Sequence, residues 1–192
     1  MAKNRDFKPD KQSTGLLKKL YITPLQRKTI LKWVLYSLML LLLSVVQDVI
    51  LCRVHIFGAT TDLVPCGIFL ICLLENSDGG CVFSLIASVL YLFSGTAPGP
   101  YCIVFITGLS VVTTAFRYGY LQGSFGATML CSIVAMMVYE LLLFAIGLFL
   151  GLTQLNRLSV FALTGGLTVI AMPILYPVLL SIKKIGGDPW KD

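Results

Sequence analysis

An all-α integral membrane protein of about six transmembrane helices is the fold class this sequence predicts. Three observations carry that expectation. The chain has 192 residues, of which 57% are hydrophobic and only 12% charged, with a mean hydropathy of +0.88. A soluble domain carries about 25% charged residues and could not hide so much apolar surface at this size. The apolar residues fall in successive runs divided by short Gly-, Pro- or Asn-containing turns. The charges lie at the two ends, with nine basic residues in 1–32 and Lys183, Lys184 and Lys191 in the tail.

Three segments follow: a basic cytoplasmic segment 1–32, a six-helix membrane domain 33–182, and a short basic cytoplasmic tail 183–192. Residues 1–15 are polar and basic, with the composition of a disordered segment. Leu16, Leu17, Leu20 and Tyr21 then share a helical face, which reads either as a short interfacial helix or as part of a basic linker. The first span runs from Trp33 to Leu51, with Trp33 at the interface and Asp48 near the far end, where it is interfacial or faces other helices. Val64 to Leu74 is short for a span; counting from Ile56 restores the length but draws Gly58 and Asp62 inside. Pro65 is tolerable in the first turn of that helix.

Glu75 to Gly80 reads as a tight polar turn on the cytoplasmic side, with Glu75 and Asp78 solvated. The third span, Cys81 to Phe93, ends at a second turn, Ser94 to Pro100. Runs joined this tightly must lie antiparallel, as a helical hairpin. The fourth span is Ile103 to Ala115, closed by Arg117-Tyr118-Gly119-Tyr120. The fifth is Phe125 to Leu150. The sixth is Val160 to Ile182, where Pro173 and Pro177 should bend the helix. Six spans put thirteen of the fifteen basic residues on one side, so the positive-inside rule places both termini in the cytoplasm of a plasma membrane. Basic ends beside a membrane set topology and touch anionic lipid; nucleic acid is not the expected partner.

Few residues carry chemistry. His55 is the only histidine and has no partner at metal or catalytic spacing. The six cysteines lie mostly within apolar runs without a C-x-x-C, and read as small apolar residues. No G-x-S-x-G, H-E-x-x-H or P-loop occurs, so no enzyme, cofactor or metal is expected. Glu140 stands out. An intramembrane carboxylate either has a functional or inter-helix role, here paired with Arg117 or Arg157 or neutral and hydrogen-bonded, or is simply buried among helices and protonated. Gly123, Ala127, Cys131 and Ala135 repeat every four residues, and Gly147 and Gly151 repeat the spacing; such ladders let helices approach closely, here another helix of the same chain or a partner.

The stretch from Val46 to Arg117 resembles the rod shape-determining protein MreD family. Ile56-Phe57-Gly58, Thr61-Asp62-Leu63, the Glu75–Gly80 hairpin and Ser94-Gly95-Thr96-Ala97-Pro98-Gly99-Pro100-Tyr101 are similar to that family's apolar-Gly step, early Asp, and Ser-Gly-x-x-x-Gly turn. Thr61 replaces a frequent Pro, and Tyr91 stands where many members carry an acid. The resemblance implies a non-enzymatic scaffold that binds the single-span protein MreC and, through it, reaches MreB filaments and RodA with its transpeptidase. It implies Asp62, Gly95 and Gly99 as structural or partner-contact positions, beside Gly123, Ala127 and Glu140. It also implies the six-helix fold of energy-coupling-factor substrate-binding subunits, whose vitamin-binding role is the alternative function. A scaffold predicts few polar groups in the core; a vitamin subunit predicts a polar pocket.

Overall fold

The computed structural model describes residues 24–54, 57–75, 77–120 and 124–185. The expectations for residues 1–23, His55, Gly123 and the end of the tail lie outside the described residues. Six helices form: α1 Pro24–Val49, α2 Leu63–Leu74, α3 Ser77–Phe93, α4 Tyr101–Tyr120, α5 Phe125–Phe149 and α6 Leu158–Ile185, with no strand element among the described residues. Single 3-10 turns follow α1 and precede α6. Four helices (α1, α4, α5 and α6) are long and apolar enough to cross a membrane. Their outward faces carry exposed apolar side chains, such as Leu38, Leu41, Val112, Leu130, Leu141, Ile170 and Ile174, a surface suited to lipid and not to water. The chain is a membrane protein by this surface.

The short second span expected at Val64 to Leu74 is α2. This helix has 12 residues, a rise of about 18 Å against a hydrocarbon core of about 30 Å. Every one of its residues is buried. It packs against all five other helices, and these form a ring around it in the order α1, α6, α5, α4, α3. A helix that is apolar all round belongs in the centre of its protein, and α2 is that helix. It can be short because the chain before it is also covered by protein. Phe57 and Gly58 turn the backbone through left-handed geometry (φ 53° and 81°), and the chain then runs inward past the buried Ala59 to Asp62. Irregular backbone at membrane depth must find its hydrogen bonds within the protein. Here the Asp62 N–H donates to Thr168 Oγ1 on α6 (3.0 Å), and the Val64 N–H donates to Gln47 Oε1 on α1 (3.0 Å).

The polar turn is shorter than the expected Glu75 to Gly80, because α3 already begins at Ser77. Asp78 lies in its first turn, where the helix dipole favours an acid. Gly79 and Gly80 are helical residues whose missing side chains make room. A Cβ on Gly80 would lie 3.1 Å from the Cys72 carbonyl oxygen, and one on Gly79 would lie 3.0 Å from the Trp33 ring. The Cys72 thiol donates to the Gly80 carbonyl across this contact (2.9 Å). Gly80, Ser84 and Ser88 continue as a buried small-residue stripe on α3, with Ser88 3.3 Å from Thr107 of α4. Gly80→Val should therefore push α2 and α3 apart and cost about 1–3 kcal/mol; a thermal melt in detergent within error of the unsubstituted protein would contradict it.

On α5 the expected ladder holds in part. Cys131 and Ala135 are buried and Ala127 is half-buried, on a face shared with Thr128, Ser132, Met136, Tyr139, Glu140 and Leu143. That face packs on α2, α4 and α6 of the same chain. Gly147 and Gly151 do not extend it. They end the helix: Gly151 takes the left-handed conformation (φ 69°), the Leu152 N–H donates to Gly147 O (2.8 Å), and the Gly151 N–H donates to Leu148 O (3.1 Å). This is a Schellman C-cap. α6 runs unbroken through Pro173 and Pro177, both exposed on its outward side, while Gly165, Thr168, Met172, Leu175 and Leu179 face inward.

Candidate functional site

Three places in the bundle gather polar groups or open a surface. The first is at the end where α1 begins and α2 ends. Glu75, expected to be solvated, is buried. Its Oε2 accepts from Lys32 Nζ (2.5 Å) and its Oε1 from the Tyr36 hydroxyl (2.9 Å), while the Tyr118 hydroxyl donates to its backbone carbonyl (2.6 Å). Lys32 also lies over the Trp33 ring at 5.1 Å. One residue after α2 thus ties α1 to α4. Lys32 and Arg117 both lie at this basic end. Sequence reading missed the network because the partners of Glu75 lie 39 or 43 positions from it in the chain.

The second place lies deeper, toward the opposite end. Glu140 is 3% exposed, and it fits because α6 has a glycine opposite: a Cβ on Gly165 would stand 3.4 Å from Glu140 Cγ. One helical turn further along α6, Thr168 receives the Asp62 N–H. The Gln47 amide donates to Asp62 Oδ1 (3.3 Å). Asp62 and Glu140 thus pack on α6 one turn apart, at Thr168 and Gly165. Tyr91 is 3% exposed and Tyr139 is fully buried. Glu140 Oε1 and both tyrosine hydroxyls make no hydrogen bond within the described chain.

Of the alternatives open for Glu140, pairing with an arginine is not the arrangement seen. Among the described residues its carboxyl forms no ion pair. Arg117 acts on Cys131, nine residues before Glu140 and about 14 Å down the helix, and Arg157 is exposed beyond the far end of α5. The expectation of an interior poor in polar groups is corrected too: Gln47, Glu75, Arg117, Glu140 and Thr168 are all buried. Most buried hydroxyls on α3 and α6 bond to their own helix backbone, as Ser84 does to Cys81 O and Thr168 to Thr164 O.

Of the residues singled out from sequence, the fold thus brings Asp62 and Glu140 together. Gly95 (φ 81°) serves the exposed turn after α3, and Gly99 lies under the Tyr101 ring in the same loop. Ala127 lies on the packing face of α5, apart from both. Tyr91 and Tyr139 were not singled out. A phenol beside an intramembrane carboxylate, as at Tyr139-Glu140, was the one available signal. Tyr91, noted only as a departure from an acidic position, contributes a hydroxyl to the same cluster.

The third place is a lateral groove of about 900 Å³ between α1 and α3, the one weakly closed joint of the ring. Its walls include Trp33, Ser37, Leu41 and Ser44 from α1, and Gly79, Val82, Phe83, Ile86, Ala87 and Leu90 from α3. From Asp78 to Ser94 it follows α3 for about 24 Å. The lining is overwhelmingly apolar, with small residues spaced along both walls.

Comparison with models of protein families, with curated proteins and with solved structures finds no match. The functional reading therefore rests on the groove, the two polar clusters and the sequence.

Proposed function

We propose that this protein is a non-enzymatic scaffold of the bacterial cell-wall elongation machinery, and that the groove between α1 and α3 holds the transmembrane helix of an MreC-like single-span protein. Through that partner the scaffold reaches MreB filaments and RodA with its transpeptidase, and so maintains rod shape. The groove carries the reading. It faces lipid, and its length of about 24 Å approaches that of a membrane-crossing segment. Ser37, Ser44, Gly79 and Ala87 give a helix backbone close approach, the basis of helix association where lipid removes the hydrophobic drive. Lys32 and Arg117 at one end favour that end as cytoplasmic, and with it both termini. The finer fold proposed is that of energy-coupling-factor substrate-binding subunits. A vitamin-binding role draws less support, because the groove lacks the convergent polar groups a vitamin needs.

Filling the groove tests this. Ser37→Trp and Val82→Trp change exposed positions on its two walls. Each should cut co-purification with the MreC-like protein at least tenfold and leave cells as wide and rounded as a deletion strain. Val112→Trp, on the lipid face of α4, should do neither. Full co-purification by both groove variants would remove the groove from the interface; normal cell width in the deletion strain would remove the function.

A further inference from the structure

The carboxyl cluster around Glu140 has features that helix packing does not require. Two acidic residues from different parts of the chain pack on α6 one turn apart, Glu140 beside Gly165 and Asp62 at Thr168, and among the described residues neither forms an ion pair. Lys32 is committed to Glu75, Arg117 acts on Cys131, and Arg53 and Arg157 are exposed. Among the described residues, the titratable groups that face one or both carboxyls from the surrounding helices are Tyr91 of α3, Cys102 of α4 and Tyr139 of α5. Gln47 of α1 and Gly165 and Thr168 of α6 close the remaining sides. None of these is cationic in its usual state. Two neighbouring carboxylates cannot both stay ionised and bare in so poor a dielectric.

A second observation points to exchange. A cavity of about 130 Å³ opens beside Asp62, lined by Gln47, Cys52, Thr60, Thr61, Asp62 and Thr96. Cys52 and Thr96 are exposed at its rim, and Thr61 Oγ1 is buried there without a hydrogen-bond partner. Deeper in, Glu140 Oε1 and the Tyr139 hydroxyl are likewise unpartnered, in residues more than nine-tenths buried. The cleft thus leads from the surface at the end opposite Lys32, past Thr61, to Asp62, and Asp62 and Glu140 pack on α6 one turn apart.

We propose that Asp62 and Glu140 form a binding site for one small monovalent cation, which exchanges with solvent through the cleft at Thr60 and Thr61. The chemistry required is a single positive charge small enough for the cleft, supplied by a proton or by Na⁺. Binding neutralises one carboxylate and makes or breaks no covalent bond in the protein. The site is intact in the chain alone, so its test is independent of any partner protein.

The experiment is carbodiimide labelling of the purified full chain in detergent, read by peptide mass spectrometry. Dicyclohexylcarbodiimide is apolar and reacts with protonated carboxyls: the acid proton passes to a carbodiimide nitrogen, the carboxyl oxygen adds to the central carbon, and the O-acylurea rearranges to a stable N-acylurea, a net addition with no leaving group. Glu140 should be labelled at acidic pH and progressively less as pH rises, and Glu140→Gln should lose at least tenfold of the total label. Replacing choline by Na⁺ at fixed pH and ionic strength separates the two cations: further loss of label shows that Na⁺ competes, and unchanged label assigns the site to the proton. Asp62→Asn should alter the pH profile at Glu140 while preserving the melting temperature within a few degrees. Absence of label on both carboxyls at every pH would overturn the proposal, as would labelling insensitive to pH. An unchanged profile in Asp62→Asn would overturn the pairing.

Discussion

Lys32→Ala is expected to destabilise the protein by about 3 kcal/mol, the cost of leaving a largely buried charge without its partner. Glu75 retains 7% side-chain exposure and would keep only the Tyr36 hydroxyl. The mirror substitution, Glu75→Ala, should cost less, about 1–2 kcal/mol. Lys32 is more exposed, at 15%, and its long stem lets the ammonium reach the headgroup region once released. The bond from the Tyr118 hydroxyl to the carbonyl of residue 75 survives in either case, because its acceptor is backbone. Lys32→Met with Glu75→Gln should lose less than the two single changes together, since neither charge is then stranded. Thermal melts of the four proteins in one detergent decide it. Equal losses for the single alanine variants, or strict additivity, would mean that the pair is effectively solvated.

That network shows where the sequence stops informing. Helix positions were legible from hydropathy, because lipid-facing and protein-facing positions are alike apolar and the helix ends are marked by Pro, Gly and charge. The same degeneracy concealed α2. The run Leu63–Leu74 reads identically whether lipid or protein surrounds it, and only its shortness suggested otherwise. Gly79 and Gly80 were legible as glycines but not as packing residues, since turns and close helix contacts both select Gly. Glu75 next to Asn76 looked like solvent-facing punctuation; its burial depends on Tyr36 and Lys32, from another helix. Glu140 was legible as exceptional because charge is so costly inside a membrane. Asp62 was legible as an acid drawn inside the membrane if the second span is counted from Ile56, but nothing local shows that the chain before α2 dips inward to meet Thr168.

Glu140→Met should behave opposite to most core substitutions and raise stability, by about 1–3 kcal/mol. Glu140 Oε1 is buried and unbonded, Asp62 packs on α6 one turn away, and among the described residues the carboxyl has no hydrogen bond or ion pair that the change would sacrifice. Methionine is close in length and flexible, so it can occupy the space that Gly165 leaves on α6. A natural sequence that keeps a destabilising acid in such a position is spending stability on something other than the fold. Gly165→Leu supplies the contrast. It crowds Met137 Sδ, 3.0 Å from a Cβ at that position, as well as Glu140, and should destabilise whichever residue stands at 140. A higher melting temperature for Glu140→Met, together with loss of the carbodiimide label, would identify the carboxyl as kept for its charge. A fall of several degrees would instead show that Glu140 anchors α5 to α6, and the cation site would then have to rest on Asp62 alone.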